Sequence, residues 1–224
     1  MKFFKYIRRK FGHLYLNMGL SIAFAIIVLL VRITLTHSLF YLFLVWNLFL
    51  AGVPFFITLL LKKYDRLRNQ RHYMIAVFIL WLLFLPNSPY IITDLVHLHN
   101  EYSYLAWLDL FLVFVFALNG LLIGLFSMMD MQTILLEKLG PLTTKILFFH
   151  VCILSGYGIY IGRFLRFNSW DITTKPITIF LKLVESIQNP KAWLFSLAFG
   201  SFIWILFGVL QSILSSGTTK KTIK

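Results

Sequence analysis

Apolar positions along the chain fall into long uninterrupted runs rather than alternating or short segments. Six runs reach the roughly 20 residues that a helix needs to cross a bilayer. They cover about residues 14–36, 39–61, 73–96, 104–126, 143–165 and 192–214. Asn17 and Arg32 interrupt the first, and Asp109 is the only charge in the fourth. Each run is too long for an ordinary strand, and the alternation of a membrane barrel is absent. The pattern therefore predicts an all-α, polytopic membrane bundle of six transmembrane helices. The basic stretch 1–13 precedes the bundle as a cytoplasmic amino terminus, and 215–224 follow it as a basic cytoplasmic tail. The amino terminus looks like the start of a signal peptide. Its apolar run is too long, however, and no small-residue cleavage site closes it, so it reads as an uncleaved first span.

One segment has a different period. From Ile177 to Gln188, the residues Ile177, Phe180, Leu181, Val184 and Ile187 fall on one helical stripe. Thr178, Lys182, Glu185 and Ser186 fall elsewhere, Pro176 stands near the start, and Pro190 ends the segment. It is too short to cross. Two readings are open: an amphipathic helix on the outer membrane interface, or a loop helix packed on the bundle.

Composition sharpens the class. Of 224 residues, 59% are hydrophobic and 13% charged, with mean hydropathy +0.83. Soluble domains carry about a quarter charged residues. A chain this apolar could not cover its own surface in water, which excludes a soluble enzyme. Disorder is excluded with it. The net charge of +13 is accounted for by basic residues at membrane boundaries, so no nucleic acid is expected as a partner. The single cysteine, Cys152, permits no internal disulfide and reads as a small buried hydrophobe.

Charge also orients the bundle. With the amino terminus cytoplasmic, that side holds fifteen basic and three acidic residues, a net +12. Six basic and five acidic residues, a net +1, remain on the other side. Both termini are then cytoplasmic. The loop from Lys62 to Arg71 faces inward, and the segments around Glu101 and Trp170 face outward.

Ionisable groups inside a membrane segment are costly, so each asks for a partner or a task. Asn87, Tyr90, Asp94, His97 and Glu101 recur at steps of three and four. At 100° per residue they occupy an arc of roughly 80°, a polar stripe from mid-membrane to the outer surface. Pro86 and Pro89 interrupt the helix at the buried end of this stripe. Ser88 before Pro89 has the form of an N-cap followed by proline. The third helix is thus expected to break at Pro-Asn-Ser-Pro, with free backbone N–H groups and a positive dipole end inside the bundle. A plain kink is the alternative. Gly120 and Gly124 form a small-xxx-small pair suited to close helix contact. Arg163 and Arg166 emerge at the outer end of the fifth span.

The simplest use of these charges is structural: Arg163 and Arg166 pair with Asp94, Asp109 or Asp171. The sharper use is a polar site at the outer ends of spans three to five, where arginine's planar fork suits phosphate or carboxylate. Its candidate residues are Asn87, Tyr90, Asp94, His97, Asp109, Arg163, Arg166, Asn168, Trp170 and Asp171. Of these, Asn87, Tyr90, Asp94, Asp109 and Arg163 are expected to line one outward-facing cavity. No metal is expected. Asp94 and His97 share a helical face that His99 does not, and no HExxH motif exists. Phosphate loops, dinucleotide fingerprints and nucleophile elbows are absent, so no cofactor is expected and no catalytic residue can be assigned. His150 reads as a hydrogen-bonded core residue, and Asp130 as facing the cytoplasmic interface.

Two stretches have a wider likeness. Phe84-Leu85-Pro86-Asn87-Ser88-Pro89-Tyr90-Ile91-Ile92-Thr93-Asp94-Leu95 with His97, followed by Gly162-Arg163-Phe164-Leu165-Arg166-Phe167-Asn168-Ser169-Trp170-Asp171, resembles the bacterial multi-pass membrane family catalogued as domain of unknown function thirteen-sixty-one. The likeness covers nearly the whole chain. Phe167 stands where the family often has a tryptophan before Asn-Ser-Trp-Asp, a mild departure. The resemblance implies a bacterial cytoplasmic membrane location and functional residues within the two motifs; it implies no reaction. Three functions remain open: a site for a lipid head group or another anionic envelope ligand, a small-solute transporter or channel using the third span, or a non-catalytic scaffold subunit of a membrane complex. Polar groups are sparse in the inward half, which favours the first. The bilayer is the one partner expected throughout.

Overall fold

A computed structural model describes residues 2–99, 105–167, 171–174 and 176–219. Every regular element among them is helical. α1 (Lys2–Thr36) and α2 (Phe43–Lys63) form the first hairpin, and the short α3 (Asp65–Asn69) leads into α4 (Arg71–Phe84). α5 (Asn87–Tyr90) and a 3₁₀ run (Ile91–His99) continue in the same direction. α6 (Ala106–Leu139) and α7 (Pro141–Tyr160) follow, and α7 ends in a π turn (Ile161–Leu165). α8 (Asp171–Thr174) and α9 (Pro176–Ile187) precede α10 (Pro190–Thr219). Six of the described helical stretches are long and apolar enough to cross a membrane: 15–36, 40–63, 71–96, 106–139, 141–165 and 190–215. The chain is an integral membrane protein with an all-α polytopic bundle.

α6 is the central helix. It buries 61% of its most apolar stretch, against 22–44% for the other spans. It packs against α1, α2, α5, the 3₁₀ run, α7 and α10. Its two flanks carry separate cores. On one, Leu29, Leu44, Ala51, Ile91, Leu112 and Phe116 close together. On the other, Trp81, Met128, Phe148, Cys152 and Phe207 do the same. Cys152 is fully buried, and the Trp81 indole donates to Ser127 Oγ at 2.7 Å, which satisfies the buried N–H.

Apolarity supplies little drive between helices in lipid, so close approach must come from small residues. A methyl at Gly124 would lie 2.5 Å from Ser88 Cβ, and one at Gly120 would lie 2.8 Å from the Ser88 carbonyl. The expected Gly120/Gly124 contact is thus made, and its occupant is the Pro-Asn-Ser-Pro turn. The α7–α10 pair is tighter still. A methyl at Gly156 would strike the backbone of Ser196 and Gly200, and one at Gly200 that of Cys152 and Ile153.

Three expectations need correction. α6 runs to Leu139, past residue 126, and Asp130 within it does not turn outward. It is buried, paired with Lys62 Nζ and contacted by Thr58 Oγ1 at 3.4 Å, so the charge is compensated inside the helix packing. His150 is exposed rather than in a core; its Nδ1 lies 2.8 Å from the Ile146 carbonyl of its own helix. The third helix does break at this motif, α4 ending at Phe84 and α5 starting at Asn87, but the break is closed by its own hydrogen bonds and leaves no open helix start. Pro86 keeps helical torsions (φ −58°, ψ −24°), the Ser88 N–H donates to the Leu85 carbonyl, and the Tyr90 N–H to the Pro86 carbonyl. No dipole end is left in the bundle. Ser88 is not a cap either: its hydroxyl donates to the Ala51 carbonyl of α2 at 3.0 Å.

Candidate functional site

The bend at Pro86 has local consequences. The Ser88 N–H bonds Leu85 instead of Phe84, and the Phe84 carbonyl accepts from Asn87 Nδ2 at 2.9 Å. One amide of the polar stripe therefore repairs the helix that the prolines disturb. α7 comes close to the bend because Gly158 faces the Pro86 ring and Gly162 faces the Tyr90 ring, with a methyl at Gly162 only 3.0 Å from Tyr90 Cε2. The π turn that follows redirects the chain and turns Arg163 toward span three; turns of this kind concentrate at functional sites.

Between these elements lies a cavity of about 320 Å³. Its polar lining comprises Asn47, Asn87, Tyr90, Asp94 and Arg163. Its apolar lining includes Phe43, Trp46 and Leu50 of α2, and Ile179 and Leu183 of α9. Asp94 is 2% exposed, an environment that demands partners for a carboxylate. Its Oδ2 accepts from Asn47 Nδ2 at 2.8 Å, and its Oδ1 stands 3.6 Å from Arg163 Nη1. The Arg163 side chain remains 19% exposed. Tyr90 is half-buried and lines the cavity with its phenol side chain. The arrangement offers a cation, a phenol and an amide-held carboxylate around a space that can be filled by a small polar group.

Asp109 does not belong to this cavity. It is buried against α1, where Arg32 Nε donates to its Oδ1 at 2.9 Å. Arg32 also donates to the Ser38 carbonyl at 3.1 Å and lies over the Tyr41 ring at 4.6 Å. The expectation that Asp109 turns toward Arg163 or Arg166 fails because a nearer cation sits on the neighbouring helix. Arg166 is exposed, in the left-handed region at φ 58°, and ends the π turn outside the cavity lining. Asp171 starts α8 and lies near the Thr174 hydroxyl at 3.4 Å, also outside the lining. The His97 side chain, Asn168, Trp170 and Glu101 lie outside the described residues. Among the described residues no group of three or more His, Cys, Asp or Glu comes together to hold a metal.

Sequence reasoning missed Asn47 and Arg32. Asn47 was visible as the lone amide of the second run and Arg32 as the lone charge of the first, which is the signal that a partner is needed. Which partner each finds depends on the rotation of one helix against another, and no pattern within one run carries that.

A six-span membrane bundle with one polar cavity at the bend of its third span defines the class of protein. More particularly, the chain belongs to the family described as Protein of unknown function (DUF1361), whose model matches residues 46–206. That stretch contains all five polar cavity residues and the whole of α9. No curated protein and no solved structure matches the chain.

Proposed function

We propose that this cavity is a binding site for an anionic group, phosphate or carboxylate, on the outer side of a bacterial cytoplasmic membrane. The observation that carries the reading is the convergence of Arg163, Tyr90, Asn87, Asn47 and Asp94 on one space of about 320 Å³. Ion pairing alone would need only Asp94 and Arg163; the Tyr90 hydroxyl is surplus to it. Arg163 receives the anion, since a guanidinium offers five donors in a plane. Tyr90 supplies a further donor. Asn47 holds the Asp94 carboxylate, and Asp94 in turn keeps Arg163 turned into the cavity. The +12 against +1 charge split supports the outward orientation.

A channel is less well supported. Along the same helices, toward the basic end, Trp81, Phe148 and Phe207 are fully or almost fully buried. The Phe148 and Phe207 rings stack at 5.6 Å, and Trp81 lies 6.1 Å from Phe148. This aromatic layer continues no polar path from the cavity.

Two measurements test the reading. In detergent-purified protein, inorganic phosphate should raise the thermal unfolding temperature above that in chloride of equal ionic strength. Arg163→Gln should weaken the effect by about ten- to a hundredfold in affinity, the range for a hydrogen bond to a charged group, and Tyr90→Phe by up to about tenfold. Equal response to phosphate and chloride, or unaltered binding in both variants, would overturn it. For orientation, an impermeant thiol reagent on intact cells should label Lys182→Cys and spare Arg66→Cys; the buried Cys152 gives little background. Labelling of residue 66 with residue 182 silent would invert the topology.

A further inference from the structure

The roof of the cavity adds a second property to its ligand. α9 presents three faces rather than two. Ile179 and Ser186 are buried against the bundle, and Ile179 and Leu183 line the cavity. The Ser186 and Tyr157 hydroxyls meet at 2.5 Å, which fastens this face to α7. Thr178, Lys182 and Glu185 form a narrow polar arc, with Lys182 Nζ 2.7 Å from Glu185 Oε2. The remaining arc, roughly 120° at 100° per residue, carries Ile177, Phe180, Leu181, Val184 and Ile187. These five are 44–75% exposed. So much apolar side chain on the outside of one short helix is stable only where the medium beyond it is hydrocarbon.

The surroundings fix the depth. Trp46, Trp107 and Trp193 stand near the starts of α2, α6 and α10, all at this end of the bundle, and each is at least half exposed. Indoles so placed mark the boundary between acyl chains and head groups. Trp193 Nε1 donates to the Ile187 carbonyl at 2.7 Å and ties α9 to that level. α9 therefore lies in the boundary with the cavity against one face and acyl chains against another.

The cavity wall shares this character. Trp46 lines the cavity and is also 53% exposed on the bundle surface. Phe43 and Leu50 beside it, with Ile179 and Leu183 on α9, add apolar wall next to the polar groups. The main helix contacts of α9 are with α8 and α10, so the roof is held more firmly there than toward α2. A polar pocket with an apolar wall at membrane level matches a molecule that has a polar head and an apolar tail.

We infer that the ligand is an amphiphile taken from the bilayer: a phosphate-bearing lipid whose head group occupies the Arg163–Tyr90 pocket and whose tail leaves past Trp46 and Leu183, between α2 and α9. The inference rests on the anion-site reading above and narrows it from any anion to one carried by a lipid.

The test uses full-length protein in vesicles of phosphatidylcholine containing radiolabelled phosphatidylglycerol. A small diazirine side chain is placed either at Leu183, which lines the cavity, or at Leu181, which faces outward. Irradiation should yield phosphatidylglycerol adducts at both positions. Arg163→Gln should reduce the adduct at residue 183 by about tenfold, the loss of one charge-assisted contact. The adduct at residue 181 should not change, which also reports that the variant is folded and inserted. Arg163→Lys, which keeps the charge, should retain much of the adduct at residue 183. Absence of adduct at residue 183, with phosphate still stabilising the detergent-purified protein through Arg163, would overturn the lipid assignment and leave the anion site standing. An adduct at residue 183 that ignores Arg163→Gln would also overturn it, since a tail would then merely be filling an apolar cleft.

Discussion

Asp109→Ala should destabilise the folded protein by about 3 kcal/mol, at the lower end of the 3–5 kcal/mol seen when one partner of a buried ion pair is removed. The variant leaves Arg32, 7% exposed as a residue, without the carboxylate that its Nε reaches at 2.9 Å. The lower end applies because Arg32 lies one turn from the end of α1 at Thr36 and retains the Ser38 carbonyl. A long arginine side chain can also turn toward the interface and recover part of its hydration. Arg32→Ala should cost a similar amount, since Asp109, on the first turn of α6, is then left 5% exposed with no cation. Replacing both residues by leucine should recover most of the loss, because the desolvation of both ions disappears together with their attraction. Thermal unfolding in detergent and abundance in the membrane fraction both read this. The double variant should still respond to phosphate, as neither residue lines the cavity. A single variant as stable as the parent would mean that the pair is solvated, and the burial argument would fail.

That pair also shows where sequence reasoning reached its limit. Membrane crossing was legible because it depends on a one-dimensional property, the length of an apolar run, and all six runs match described helices. The wall that span three gives to the cavity was legible for a related reason. Asn87, Tyr90 and Asp94 share a face through helical periodicity alone, and Asp94 does approach Arg163. The partners on other helices were not legible. Asp109 could have met Arg163, Arg166 or Arg32 by charge; the rotation of α1 against α6 decides for Arg32, and that rotation follows from packing. The turn at Pro86 misled in another way. Two prolines and a serine carry the local signs of a helix start. Here a 3₁₀ turn, the Asn87 amide and the Ala51 carbonyl satisfy the same groups across the break between α4 and α5. For α9 the helix was correctly placed, and it does pack on the bundle, though not through the regular apolar stripe. The stripe faces outward while a second, less regular face of Ile179, Leu183 and Ser186 covers the cavity. A moment computed around one axis cannot separate a helix with two apolar environments from one with a single broad face.

Gly200→Ala should be strongly damaging, and Gly208→Ala, two turns along the same helix, should do no harm. The two positions have the same residue type, the same helix and the same substitution, so propensity cancels between them. Only the neighbours differ. A methyl at Gly200 would lie 2.8 Å from Ile153 Cα and 3.0 Å from the Cys152 carbonyl, whereas nothing stands within 4 Å of one at Gly208. Backbone atoms cannot rotate aside as a side chain can, so α7 and α10 must separate. Separation also loosens Gly156 against Ser196 on the same seam. Overpacking of this sort costs about 1–3 kcal/mol. In lipid the loss is not repaid elsewhere, because dispersion at close approach is what holds the helices together. At Gly208 the added methyl removes backbone freedom from the unfolded chain and should be neutral or stabilising by up to about 1 kcal/mol. The consequence reaches the cavity, since α7 carries both Gly158, against Pro86, and the π turn that presents Arg163. Gly200→Ala should therefore lower both the unfolding temperature and the response to phosphate, while Gly208→Ala lowers neither. If the two variants unfold at the same temperature, the α7–α10 seam has slack that the close approach of Gly200 to Ile153 denies, and the route by which packing positions Arg163 would have to be abandoned.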